Sequence, residues 1–178
     1  TKGARADTPK AAAAAAQIVV LAVPWSAAED TTKSLGDVSG KIVVDATNAL
    51  NFVQGGMEMA VPTSAGELIQ GWLPNAKVVK AFNTVGFFVI ADPKVTREGP
   101  VAVFVAGNDA AAKTRVRDLA TAMGFRTVDA GGIKNARALE AMSILYMVPY
   151  LGGKREEAFE WAVRDAGGTS RGTVRPAQ

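Results

Sequence analysis

The side chains available for chemistry in this chain are few in kind. Its 178 residues include no His and no Cys, so it offers no imidazole base, no thiolate nucleophile and no thiolate-held zinc. Proton transfer would fall to carboxylates, Lys or Tyr, and a metal site would have to be built from oxygen ligands alone. What remains is a set of polar or aromatic residues that each follow an apolar run: Val23-Pro24-Trp25, Asp45-Ala46-Thr47-Asn48, Asn83-Thr84 and Gly107-Asn108-Asp109. Amides and hydroxyls so placed can bond a ribose or a carboxamide, and a tryptophan at a crevice can lie against a flat ring. Each also has a plain structural reading. Trp25 would cover the edge of a sheet, Asp and Asn are common turn-formers, and Asn108 would cap a helix whose acidic Asp109 speaks against a bound anion. Three polar strand ends on neighbouring strands weigh more together than singly. Gly55-Gly56 and Gly131-Gly132 are isolated doublets, and neither G-x-G-x-x-G nor G-x-x-x-x-G-K-[ST] occurs in the chain.

Those residues need a frame that brings them together, and the composition describes one ordinary globular domain, 48% apolar and 21% charged. A folded chain of this size hides roughly 70% of the surface its unfolded form exposes, enough for a core without disulfides or metals. The 20 Lys plus Arg against 17 Asp plus Glu leave a formal charge of +3. Basic residues alternate with acids along the helical stretches instead of forming one stripe, which argues against nucleic acid as a partner. The apolar run Ile18 to Trp25 falls far short of the ~20 residues that span a bilayer. The polar start Thr1 to Lys10 and the alanines behind it lack the aliphatic core of a signal peptide. The expectation is a soluble, cytoplasmic protein with no membrane partner. A first residue of Thr instead of Met points to a true start upstream.

Along the chain, Thr8 and Pro9 read as the cap and first position of a helix through the alanine tract. Gln17 to Val23 is aliphatic, β-branched and without alternation, as in a strand buried on both faces. Ser26 and Glu29 read as a capping box opening a helix to about Leu35. Lys41 to Ala46 is the next strand, Asn48 to Thr63 a glycine-rich loop, and Ser64 with Glu67 a second capping box for a helix that ends before Pro74. Lys77 to Phe82 is a third strand. After a less regular stretch, Val101 to Ala106 reads as a strand, Asn108 as the cap of a helix through Met123, Phe125 to Asp129 as a last strand, and Lys134 to Met147 as a final helix. Strands alternating with helices imply crossover units and a doubly wound α/β sheet, in which ligands sit beyond the carboxyl ends of the strands. The polar and aromatic residues above fall at those ends. The tail from Pro149 differs in character, with Arg155, Arg164, Arg171 and Arg175 among glycines and polar residues, and Gly167 to Gln178 is expected to be disordered.

The run Ile18-Val19-Val20-Leu21-Ala22-Val23-Pro24-Trp25, then Gly40-Lys41-Ile42-Val43-Val44-Asp45-Ala46-Thr47-Asn48, then Lys80-Ala81-Phe82-Asn83-Thr84-Val85, resembles the NADPH-dependent deazaflavin coenzyme F-420 (F420) reductase family. So do Phe104-Val105-Ala106-Gly107-Asn108-Asp109 and Asp129-Ala130-Gly131-Gly132-Ile133-Lys134-Asn135-Ala136-Arg137 leading into Leu139-Glu140-Ala141-Met142. The resemblance covers residues 1 to 148. It implies a Rossmann-like, mainly parallel sheet and an oxidoreductase passing a hydride between NADPH and a deazaflavin or flavin ring. Such transfer asks a protein to hold two planar rings together away from water, with little demand for a general base. A chain without His is not handicapped for it, and no catalytic side chain or metal is expected. Carried over residue by residue, Val23, Pro24 and Trp25 line the NADP site, Thr47 and Asn48 lie near the nicotinamide end, and Asn83, Thr84 and Phe87 face the nicotinamide and the acceptor ring. The partners implied are NADP, F420 or a flavin as second redox partner, and a second copy through the C-terminal helices.

Family members begin with a strand, a glycine-rich turn that cradles the pyrophosphate, and a second strand whose Ser-Arg pair reads the 2′-phosphate. Neither segment is in this sequence. The fold expected is therefore a Rossmann-like sheet missing its first strand-helix-strand unit, with roughly 45 to 60 residues upstream. The chain divides into a partial NAD(P)-binding domain at 1–148 and a C-terminal helix with a polar, flexible tail at 149–178, and by itself it is expected to bind NADP poorly. A β-hydroxyacid dehydrogenase would place an essential Lys four residues before an Asn, whereas Lys134 and Asn135 are adjacent. Pyrroline-carboxylate reductase is a similar relative without its own motif here. The alternative from another class is a non-catalytic nucleotide-binding or regulatory module of the same fold.

Overall fold

The computed structural model describes residues 3–94, 99–154 and 158–164. In chain order these contain α1 (Pro9–Ala15), β1 (Ile18–Leu21), α2 (Trp25–Ser34), β2 (Ile42–Asp45), β3 (Leu50–Val53), β4 (Gly56–Met59), α3 (Ala65–Trp72), β5 (Lys77–Lys80), α4 (Phe87–Ala91), β6 (Ala102–Gly107), α5 (Ala110–Ala122), β7 (Arg126–Asp129), a 3-10 turn at Ile133–Asn135 and α6 (Ala136–Leu151). The stretch Gly167 to Gln178, with Arg171 and Arg175, and Arg155 lie outside the described residues.

Among the described residues five strands form one sheet in the order β1-β2-β5-β6-β7. β1, β2 and β5 run parallel, with Val19 beside Val43 and Val43 beside Val78, as crossovers through α2 and α3 require. The mainly parallel, Rossmann-like α/β sheet is as expected. β6 corrects the expectation of uninterrupted crossovers. It pairs with β5 antiparallel, Val79 opposite Gly107 and Lys80 opposite Ala106, and β7 runs parallel to β6. The only helix described between β5 and β6 is the five-residue α4, too short to carry the chain back across the sheet, so β6 starts at the end where β5 stops.

Because successive strand residues face opposite ways, the central strands split their valines between two cores. Val43 and Val78 pack with Ile69, Ala65 and Ala136 on one side, and Val44 and Val79 with Val103, Val105 and Val116 on the other. Asp45 and Lys80 continue the first of these faces, where apolar residues would be ordinary.

The helix ends show which local signals hold. Thr8 accepts from the Ala11 N–H, and at the other end of α1 the Lys41 Nζ donates to the carbonyls of Ala13, Ala14 and Ala16 at 2.7, 2.8 and 2.8 Å. One ammonium thus satisfies the carbonyls that a helix terminus leaves unpaired. Ser64 and Glu67 form the expected box, the Ser64 hydroxyl accepting from the Glu67 N–H and donating to Glu67 Oε2. Ser26 and Glu29 do not. Proline sets the start of α2 one residue before Ser26, and Glu29 pairs with Lys33 at 2.7 Å instead. Asp109, not Asn108, caps α5, accepting from the Ala112 N–H, while Asn108 Oδ1 accepts from the Ile133 N–H.

Two further corrections concern the loops. Asn48 to Thr63 contains an antiparallel hairpin, β3 against β4, with Val53 opposite Gly56. Gly55 takes φ +87 at its turn, a conformation that costs glycine little. The final helix passes Met147 and continues through Pro149 to Leu151. No helix among the described residues is long and apolar enough to cross a membrane.

Candidate functional site

The parallel strands β1, β2 and β5 end together, and beyond their carboxyl ends lies a cleft of about 860 Å³ whose walls include Val23, Pro24, Trp25, Asn48, Asn83 and Phe87. Six of the eight residues singled out in the sequence therefore share one cavity. Trp25 stacks on Trp72 of α3 with ring centres 5.8 Å apart and planes 16° from parallel, which fixes the indole at the rim. Phe87 is 84% exposed and meets Phe88 edge-on.

Thr47 and Thr84 are placed differently from the expectation. Thr47 is 3% exposed, and its hydroxyl and N–H both donate to Asp45 Oδ1, at 2.7 and 2.8 Å. Thr84 is 1% exposed. Neither lines the cleft; Thr47 is held inward by Asp45 and Lys80, and Thr84 follows the turn set by the left-handed Phe82. Gly107-Asn108-Asp109 also lies elsewhere. β6 runs against β5, so its carboxyl end is at the opposite edge of the sheet, where Lys77 pairs with Asp109 at 3.3 Å.

Asn83 is aimed by its predecessor. Phe82 has φ +66, a left-handed backbone that costs a non-glycine residue about 1 kcal/mol or more and persists only where the surroundings hold it. Its ring is held edge-on against Phe125 at 6.1 Å. The turn sends Asn83 to the cleft floor, where its Nδ2 donates to Asn48 Oδ1 at 3.0 Å, Leu139 O at 2.8 Å and Ser143 Oγ at 3.1 Å. The Ser143 Oγ in turn lies 2.9 Å from both Asn48 Oδ1 and the Asn83 carbonyl, so its single proton is shared between the two acceptors. Asn83 Oδ1 is buried and has no hydrogen-bond partner among the described residues.

Beneath this amide cluster lies a buried ion cluster. Lys80, Asp45 and Glu140 are each fully buried, and Lys80 Nζ reaches Asp45 Oδ2 at 2.9 Å and Glu140 Oε1 at 2.8 Å. The same ammonium donates to the Thr47 carbonyl. Glu140 accepts from the N–H groups of Ala49 at 3.2 Å, Ala65 at 2.9 Å and Gly66 at 3.2 Å. Its carboxylate therefore sits at the N-terminus of α3, where the helix dipole favours negative charge, which offsets the excess of one carboxylate over the single lysine. The cluster pins the backbone on both sides of Asn48, at Thr47 and at Ala49. It positions Asn48 without itself lining the cleft.

α6 supplies Ser143, Tyr146, Met147 and Tyr150 to the same cleft, and the hairpin supplies Leu50, Asn51, Phe52 and Met57. The Tyr146 hydroxyl donates to Glu160 Oε1 at 2.8 Å. Burial, then hydrogen bonding to Tyr150 and Glu160, pushes the Tyr146 hydroxyl above its ordinary range, and burial pushes the Glu160 carboxyl up. Both therefore favour the neutral form. Sequence reading missed the hairpin and α6 contributions, which are brought in from distant positions. A signal did exist for the ion cluster: Lys80 interrupts the otherwise apolar run Val78 to Phe82, and Glu140 stands between Leu139 and Ala141.

Comparison with known proteins agrees with this architecture. Residues 1–49 match the family model described as NADP oxidoreductase, coenzyme F420-dependent. An F420-dependent NADP reductase of Methanocaldococcus jannaschii is 34% identical over 76% of this chain and 63% of its own length. The rat metalloreductase STEAP3 is 34% identical over 62% of this chain and 22% of its own length. The chain thus spans less than two thirds of either relative. A solved structure from Arthrobacter sp. FB24, described as an F420-dependent NADP-reductase, superposes with a TM-score of 0.79 at 34% identity, covering 88% of this chain and 74% of that one. Plasmodium falciparum pyrroline carboxylate reductase, solved with NADP bound, shares the fold alone, with a TM-score of 0.52 at 13% identity over 83% of this chain and 50% of that one. Sequence identity and fold together show that the chain belongs to the coenzyme F420-dependent NADP oxidoreductase family.

Proposed function

We propose that this chain forms the ring-binding part of an oxidoreductase that passes a hydride between NADPH and a deazaflavin or flavin-type acceptor. The observation that carries the reading is Asn83 Oδ1, a buried amide oxygen without a partner, on a residue lining a cleft at the carboxyl ends of parallel strands. An unpaired buried acceptor costs about 1–3 kcal/mol, and a carboxamide N–H entering the cleft removes that cost. A nicotinamide carries such a group, so the donor set fits this end of the cofactor. When bound, NADPH would supply a hydride to the acceptor ring, whose reduction also takes up one proton from solvent, leaving NADP⁺.

The protein's part is to hold and shield. Asn83 accepts from the carboxamide, Asn48 and Ser143 keep Asn83 in place, and Trp25 forms the rim. Burial, with hydrogen bonds to Tyr150 and Glu160, holds the Tyr146 hydroxyl above its ordinary range, so Tyr146 keeps its proton through the neutral range. The sequence has no glycine-rich phosphate turn, so these residues grip the ring end of the dinucleotide and leave its pyrophosphate to other contacts. We expect this chain by itself to bind NADPH weakly. The test is NADPH binding and oxidation by the natural gene product with deazaflavin, flavin and ferric acceptors. Saturable binding with turnover supports the reading, and no binding at millimolar cofactor overturns it.

We further propose a homodimer through α6. Ala138, Ala141, Leu145, Val148 and Gly152 are all exposed, and their spacing of three and four is that of a knobs-into-holes seam. The small Ala138 and Ala141 followed by the larger Leu145 and Val148 suit a second copy lying antiparallel, small against large.

A further inference from the structure

The hydrogen-bonding partners of the buried ion cluster fix its charge. Lys80 Nζ carries three protons and meets three acceptors: Asp45 Oδ2, Glu140 Oε1 and the Thr47 carbonyl. Glu140 Oε1 also accepts from the Gly66 N–H, and Oε2 accepts from the N–H groups of Ala49 and Ala65. A protonated carboxyl needs an acceptor for its own hydrogen, and among the described residues both oxygens of Glu140 and Asp45 Oδ2 face N–H donors. Asp45 Oδ1 is held as an acceptor by the Thr47 N–H at 2.8 Å and takes the Thr47 hydroxyl as well. Two carboxylates and one ammonium therefore leave the cluster with a formal charge of −1. All three side chains are fully buried, so water and salt do little to screen that charge. The start of α3, worth about half a positive unit, offsets part of it.

The cluster stands just below the cleft floor. Asp45 and Lys80 come one and two residues before Ala46 and Phe82, which line the cleft. Glu140 precedes the lining residue Ser143 by three positions on α6, ~5 Å along the helix axis. We propose that this buried negative charge favours the oxidised, cationic nicotinamide over the reduced, neutral one, so that Asp45, Glu140 and Lys80 set the ratio of NADP⁺ to NADPH affinity at a site they do not touch. The inference rests on the hydride-transfer reading and concerns a property that reading leaves open, the thermodynamic bias of the bound cofactor. Loss of a hydride, one proton with two electrons, turns the neutral ring into a cation and leaves the rest of the dinucleotide unchanged. The two forms therefore differ in how they meet a fixed charge beneath the ring, and every other contact cancels in their ratio. A unit charge acting over about 10 Å at an effective dielectric near 20 shifts an equilibrium about fifteenfold, and the half-unit offset at α3 leaves about fourfold. Asp45, Glu140 and Lys80 are thus positioning residues for charge as well as for the backbone around Asn48.

The experiment is calorimetric titration of NADP⁺ and of NADPH into the natural gene product, unaltered and carrying Glu140→Gln or Asp45→Asn. Each substitution removes one negative charge at nearly constant shape, and circular dichroism establishes that each variant is folded. In both, the Kd of NADP⁺ relative to that of NADPH is expected to rise about fourfold. Gly66→Ala disturbs the approach of α3 to α6 beside Glu140 without changing any charge. It is expected to leave the ratio within about twofold even where both affinities fall, which a purely structural role for the cluster would not predict. A folded charge variant whose ratio stays within about twofold of the unaltered protein's, or falls, overturns the inference. So does a Gly66→Ala ratio that rises as far as theirs. Should neither charge variant fold, the carboxyl carbon resonances of Asp45 and Glu140 in the unaltered protein at neutral pH decide: two ionised carboxylates support the inference, and a proton on either overturns it. Turnover of NADPH with an unchanged ratio strikes the inference alone and leaves the hydride-transfer reading standing, whereas binding of neither dinucleotide at millimolar concentration overturns both.

Discussion

At the scale of single residues, most is at stake in the charged groups that never touch the cleft. Lys80 holds two fully buried carboxylates, and each is further held by backbone N–H groups or a hydroxyl. Removing one partner from such a cluster costs more than the cluster contributes net, because the remaining charges have no water to turn to. Lys80→Met is expected to lower stability by about 3–5 kcal/mol, read as the shift in the urea midpoint at constant slope. Asn83→Leu removes the two N–H donors shared among Asn48 Oδ1, Leu139 O and Ser143 Oγ and abolishes the orphan acceptor. Its expected effect is about a tenfold loss of NADPH affinity in the gene product, measured by fluorescence titration, with riboflavin binding less affected.

At the scale of elements, α3 and the segment 158–164 hold α6, which in turn walls the cleft. α3 approaches α6 so closely at Gly66 that an added Cβ would lie 2.8 Å from the Cβ of Ala136. Gly66→Ala is expected to push the helices apart and cost about 1–3 kcal/mol, seen as a lower melting temperature, with the Glu140 bonds to the start of α3 lengthened. Residues 158–164 tie the end of α6 to β6: the Ala102 N–H donates to the Trp161 carbonyl at 2.7 Å, Phe159 meets Tyr146 and Trp161 edge-on, and Glu160 takes the Tyr146 hydroxyl. Burial raises the Glu160 carboxyl above its ordinary 4.5. Between that value and the raised one the folded state holds more protons than the unfolded, so stability falls as pH rises through the window. The tie is therefore expected to loosen as pH climbs above 4.5. The protection factor of the Ala102 amide, corrected for intrinsic exchange, should fall across this range, and Glu160→Gln should abolish the fall.

At the scale of the whole molecule, two apolar surfaces stand out as uncovered among the described residues. One is the α6 seam, where Leu145 and Val148 are 54% and 55% exposed. If a second copy covers it, the paired substitution Leu145→Glu with Val148→Glu converts a dimer to a monomer in light scattering without lowering the melting temperature of the subunit. An unchanged mass, dimeric or monomeric, counts against the α6 seam as the interface. The other is β1, which has no strand on its outer edge among the described residues and exposes Val20 by 54%. An unprotected β-branched edge promotes self-association. A sheet open along such a strand is expected to be of low stability, and a cooperative melt of this chain above about 50 °C contradicts that expectation.

Much of this was legible in the residues themselves. Apolar runs of the right length, the caps at Thr8 and Ser64 and the placement of Val23-Pro24-Trp25, Asn48 and Asn83 after strands are local properties, and local sterics and hydrogen bonding make them readable one segment at a time. The orientation of β6 was not, because strand direction depends on how the connection from β5 travels; that orientation removed Gly107-Asn108 from the site. The inward turn of Thr47 and Thr84 was not legible either, since it follows from a left-handed residue at Phe82 and a lysine buried beneath. The sequence alone determined which side chains stand at strand ends and that none of them is His or Cys. Only the tertiary structure decided which of those ends meet, and that no charged side chain lines the cavity they share among the described residues, because its remaining walls come from a hairpin and a helix far along the chain whose packing no local pattern encodes.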